Sequence, residues 1–125
     1  MEIKQAPETR LITRPGSFYT ARVSAAVPGV GISWINQDFN ADLGHTTIIS
    51  IELLGSSFMT GVSWGTWNAN RSWVVYHRTN PGRAQVHMDG TINYTWNLIA
   101  GGLRATFIQG LIMNNGRLQA DNDIW

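Results

Sequence analysis

The chain has 125 residues, nine Lys and Arg against eight Asp and Glu, a formal net charge of +1 and no cysteine. That length suits one domain, and the missing cysteines exclude disulfide scaffolds, thiolate metal sites and cysteine nucleophiles. The near-neutral charge leaves no electrostatic footprint for nucleic acid or an acidic membrane, and no apolar run approaches the roughly 18–20 residues of a membrane-spanning helix.

Residues 1–16 lack periodicity, hold Pro7 and Pro15 with charges at Glu8, Arg10 and Arg14, and read as an extended N-terminal arm without a secretory signal. A β domain over residues 17–125 is expected to follow, because the hydrophobic period from there on is two rather than 3.6. Strands are predicted over Phe18 to Ala25, Gly31 to Ile35, Thr46 to Leu54, Phe58 to Trp64, Ser72 to Arg78 and Leu103 to Met113, with a short one at Arg117 to Ala120. Turn residues separate them at Val27-Pro28-Gly29, Leu54-Gly55-Ser56, Asn80-Pro81-Gly82, Gly101-Gly102 and Asn114-Asn115-Gly116. The clearest pattern is a hairpin. Ala84, Val86 and Met88 share one face, Ile92, Tyr94, Trp96 and Leu98 another, and Asp89-Gly90 between them has the composition of a type I′ turn. No stretch shows a capped helical stripe. The expected fold is all-β and antiparallel: a β-sandwich or jelly-roll-like barrel of about eight or nine short strands in a single domain.

Several groups of residues bear on chemistry. Asp38, Asn40 and Asp42 space three oxygen-bearing side chains as a calcium loop does, but Gly44 and Ile49 stand where such a loop needs glycine one place earlier and a glutamate. The expected state is a polar loop with no metal. His45, His77 and His87 lack close ligand spacing and are expected on solvent-facing positions. Glu52 is the one acidic residue in a strongly apolar strand, and is expected on its more exposed face or paired across the sheet. A hydrolase built on Glu52 or Asp38 needs a second carboxylate at a set distance, and no nucleophile elbow, zinc helix or phosphate loop is present.

Trp64-Gly65-Thr66-Trp67-Asn68-Ala69-Asn70-Arg71-Ser72-Trp73 is the most suggestive stretch. Indole rings offer flat apolar faces, and amides and guanidinium offer oriented hydrogen bonds, which suits a sugar or a protein epitope. Trp64, Trp67, Asn68, Asn70 and Arg71 are therefore the candidate ligand-binding residues. Trp73 is expected in the core on a face with Val75, and Trp125 against a neighbouring strand or subunit.

Charged residues are only 14% of the chain and Lys4 is the single lysine. A weakly charged surface rich in arginine and aromatics points to a covered surface, hence a homo-oligomer, with a trimer favoured. A cysteine-free, weakly charged, aromatic-rich β-sandwich resembles viral attachment-fibre heads, phage tail and decoration proteins, and small lectins; the resemblance is one of architecture, with no motif behind it. It implies a non-enzymatic module that binds a cell-surface glycan or protein receptor, on a virion surface or outside the cell. The alternatives are a structural virion subunit (capsid decoration or tail), or the small hydrolase. No cofactor, nucleic acid or membrane insertion is expected.

Overall fold

Along the stretch from Gln37 to Leu43, every second side chain is buried: Gln37, Phe39, Ala41 and Leu43 point one way, with Asp38, Asn40 and Asp42 between them. That alternation is the signature of a strand covered on one face. The computed structural model describes residues 2–4, 18–27, 32–62, 65–94, 102–123 and 125, and it is all-β. Its strands are β1 (Glu2–Lys4), β2 (Phe18–Ala26), β3 (Ile32–Leu43), β4 (Ile48–Val62), β5 (Gly65–Tyr76), β6 (Arg83–Tyr94), β7 (Leu103–Asn114) and β8 (Arg117–Asp121). No helix among the described residues is long and apolar enough to cross a membrane.

The strands form two sheets, β1-β2-β3-β4 and β5-β6-β7-β8, and every neighbouring pair is antiparallel. Each sheet is a simple meander. A jelly roll needs Greek-key connections, so the sequential order among the described strands departs from that alternative. The inner faces share one core: Val23, Ile35, Phe39 and Ile51 from the first sheet meet Val86, Met88, Ile92 and Leu111 from the second. Burying each such large side chain contributes about 1.5–3 kcal/mol.

The strands are longer than expected, because two of the anticipated turns are not turns. The predicted strands Thr46 to Leu54 and Phe58 to Trp64 merge, over residues 48–62, into one strand, β4, which passes through a bulge: Asn36 pairs with Phe58 and Asp38 with Leu54, so Gln37 faces three residues of β4. The Gln37 amide fills the gap, donating from Nε2 to the carbonyls of Leu54 and Gly55 at 3.1 Å each and of Asp38 at 3.0 Å. Gly55 takes φ +66°, a value that glycine adopts without strain.

The Asp89-Gly90 hairpin is likewise absent, since both residues lie inside β6. Asp89 pairs with Arg71 on one side and Thr106 on the other, and Gly90 with Ala69 and Ala105. A type I′ turn requires positive φ at both central residues, and neither residue has it. Gly90 serves packing instead: a Cβ there would lie 2.5 Å from Trp67 Cζ2 and from the Asn68 carbonyl oxygen. The turn with I′ backbone signs sits at Asn115-Gly116, with φ +52° and +77°, between β7 and β8. Pro28 and Gly29 of one expected turn, Gly101 of another, the apolar positions Trp96 and Leu98, and arm residues 1 and 5–16 lie outside the described residues; Glu2–Lys4 pairs with β2 as β1.

Candidate functional site

β4 leads into β5 at a corner, and there Ser57, Phe58, Met59, Gly61, Gly65, Thr66 and Trp67 line an open cleft of about 450 Å³. That size falls within the few-hundred-Å³ range of small-molecule sites. Trp67 forms the inner wall. Its Nε1 donates to Ser57 Oγ at 2.8 Å, and its ring meets Phe107 edge to face at 5.7 Å while packing on the core. Phe58 carries the Arg22 guanidinium 4.9 Å above its ring, and Arg22 Nε donates to Asp38 Oδ1 at 2.6 Å. That bond raises the Arg22 pKa and holds the charge over the Phe58 ring. The cleft thus lies among two aromatic residues, a methionine, a serine and a threonine, with Gly61 and Gly65 adding no side chains of their own.

The residues singled out in the sequence are divided by a bulge. Pairing jumps from Ala69/Gly90 to Arg71/Asp89, leaving Asn70 as the extra residue on β5. Strict alternation puts Trp67 and Trp73 on one face; the extra residue puts them on opposite faces. Trp67 turns toward the core and the cleft, whereas Arg71 and Trp73 face outward. Asn68 is exposed on β5, and Trp64 lies outside the described residues. The expectation that Trp73 is a core residue is thus overturned. Val74 packs against the core in its place, while Trp73 stacks on His87 at 5.1 Å and carries Arg71 at 4.5 Å.

Asp89 anchors this outer face. It accepts from Asn70 Nδ2 and Arg104 Nη2 at 2.8 Å each and from Thr106 Oγ1 at 3.0 Å. The Arg104 bond first, then Asn70, hold its carboxyl far below the ordinary carboxylate range. His87 Nε2 and Gln85 Oε1 are 2.9 Å apart, and burial lowers the His87 pKa.

The remaining candidates are spread out. Asp38, Asn40 and Asp42 are not a loop but alternate outward positions on β3, roughly 6.8 Å apart in steps of two. Asn40 Oδ1 accepts from Thr20 at 2.6 Å, and its amide reaches exposed Glu52 at 3.4 Å, so Glu52 sits on the exposed face as expected. No group of three His, Cys, Asp or Glu suited to a metal occurs among the described residues. His77 Nδ1 accepts from the Thr79 and Asn80 amides at 3.1 and 3.0 Å, and its ring meets Trp125 edge on at 4.7 Å. Trp125 therefore packs on the chain's own β5–β6 connection.

No family model, curated protein or solved structure matches this chain. Function rests on the geometry alone. Sequence reasoning missed Ser57, Phe58, Met59 and Thr66 as cleft residues. The available signal was the pair Gly61 and Gly65 on either side of the β4–β5 corner, which keeps the backbone bare beside Trp67.

Proposed function

We propose that this chain is a non-enzymatic recognition module, built as a β-sandwich, that takes a saccharide or an exposed receptor side chain into the β4–β5 corner cleft. The supporting observation is the cleft itself, lined by Trp67, Phe58 and Met59 together with Ser57 and Thr66. Aromatic surface stacks on the C–H faces of a sugar ring while hydroxyls exchange hydrogen bonds with it. A virion attachment head or a small lectin, acting as a symmetric oligomer on a virion surface or outside the cell, is the setting we assign. The cell-surface partner is a glycan or protein receptor.

Binding to an immobilised panel of glycans tests the reading. Thr66 is exposed, so Thr66→Arg fills the cleft without touching the core. The wild-type chain is expected to retain a subset of glycans, and Thr66→Arg to lose them by at least tenfold at an unchanged melting temperature. Equal retention by both proteins would refute the cleft as the site.

A second reading, a structural virion subunit, is favoured by the distribution of charge over the two outer faces, developed next. The hydrolase alternative has less support, since Asp38 is held by Arg22 and Glu52 faces Asn40 rather than a second carboxylate.

A further inference from the structure

The two outer faces carry opposite charge. On the β1–β4 sheet, the described outward side chains include Asp38, Asp42 and Glu52 against Arg22 alone, three negative charges to one positive. On the β5–β8 sheet they include Arg71, Arg83, Arg104 and Arg117 against Asp89 and Asp121, four positive to two negative. Among the described side chains, the back is thus acidic and the front basic.

Ion pairs within each face leave the excess uncommitted. Arg22 is bound to Asp38, Arg104 to Asp89 and Arg83 to Asp121. Asp42 and Glu52 remain without a cationic partner among the described residues, as do Arg71 and Arg117 without an anionic one. Apolar surface accompanies both sets: Ile49 and Leu54 are exposed on β4, and Ile108 on β7 near the half-buried Trp73 and Val75. Charge of this kind fixes register and rejects wrong pairings, and the apolar contact supplies affinity.

We propose that copies of this chain associate back to front, the acidic outer face of the β1–β4 sheet of one seating on the arginine-bearing outer face of the β5–β8 sheet of the next. The inference rests on the oligomeric part of the proposed function and not on its ligand. Two identical faces cannot pair, because front on front opposes arginines and back on back opposes carboxylates. The contact is therefore heterologous; it closes into a ring where the rotation permits and extends into a filament otherwise.

Native mass by light scattering, at about 0.1 M and 1 M salt, tests this, since the screening length falls from about 10 Å to about 3 Å between them. The wild-type chain is expected above single-chain mass, with the assembly weakened at high salt. Asp42→Lys with Glu52→Lys, and separately Arg71→Glu with Arg117→Glu, should each reduce it to a single chain. In an equimolar mixture the two double variants restore opposite charge wherever they alternate, and the mixture should rise above single-chain mass again. A single-chain wild type, or double variants that keep its mass, would overturn the proposal. Native mass reads association and retention on the glycan panel reads binding, so failure of either leaves the other to be judged on its own.

Discussion

Asn70 Nδ2 donates to Asp89 Oδ2 over 2.8 Å, joining the bulged residue of β5 to the middle of β6. The bond secures the extra residue that turns Arg71 and Trp73 to the outer face. Asp89 also receives Arg104 and Thr106 from β7, so one carboxylate ties three strands together. Asp89→Ala should lower the melting temperature more than Asn70→Ala or Thr106→Ala, because it leaves three donors without their acceptor. Thermal unfolding of the three variants checks the order, and equal effects would contradict the account of Asp89 as the common anchor.

Gly90 lies against the Trp67 ring, and its substitution tests whether residues 89–90 are strand or turn. Gly90→Ala forces a methyl into 2.5 Å contact with Trp67 and the Asn68 carbonyl oxygen. Overpacking of that kind costs about 1–3 kcal/mol. A type I′ position offers a different outcome with Asn, which tolerates positive φ: Gly90→Asn should be at least as damaging as Gly90→Ala in a strand, but milder in a turn. At Gly116, where φ is +77°, Asn should be tolerated better than Ala. Denaturant unfolding of the four variants decides between the two descriptions.

The period-two pattern reveals the strands, the antiparallel class and the exposed face of Glu52, because one-sided burial writes itself directly into alternation. It does not reveal where strands continue. Asp89-Gly90 and Asn115-Gly116 look alike as dipeptides, and only the partners on β5 and β7 show that the first pair belongs inside a ladder. The same holds for Asn70. One extra residue reverses the facing of everything beyond it, which is why the candidate group Trp67, Asn70 and Arg71 falls on two faces. The cleft was illegible for a related reason, as its walls come from both sides of a corner that a linear pattern does not show.

Gln37 makes its own test. Its side-chain amide satisfies the Leu54 and Gly55 carbonyls in the β4 bulge, and the residue is wholly buried. Gln37→Leu keeps the volume but leaves those acceptors unmet, at a cost of about 1–3 kcal/mol. Hydrogen exchange should speed up first in β4 around residues 54–58. Unchanged stability and exchange would show that the bulge holds itself without Gln37.

Acid sensitivity should come in two steps. His87 has its pKa lowered by burial, so its contribution is present above the unfolded value of 6.5 and declines as pH falls through and below it. Asp89 has its pKa lowered by Arg104 and Asn70, so its contribution is present above the unfolded value of 3.8 and is lost only in stronger acid. Melting temperature against pH should fall from about pH 6.5 downward and again below about pH 4. His87→Gln should remove the upper step and leave the lower one. A curve still falling near pH 6.5 in that variant would show that another group is responsible.

The most direct test of the recognition account reads the cleft residue by residue. In an amide and indole NMR spectrum, the Trp67 Nε1 proton, held by Ser57, and the Thr66 backbone amide report on the cleft. Trp73, on the opposite side of its sheet, is the internal control. Titration with a glycan retained on the panel should move the Trp67 and Thr66 signals and leave Trp73 in place. Shifts centred on Trp73 and Arg71, with Trp67 unmoved, would contradict the assignment and place recognition on the outer face of the β5–β8 sheet.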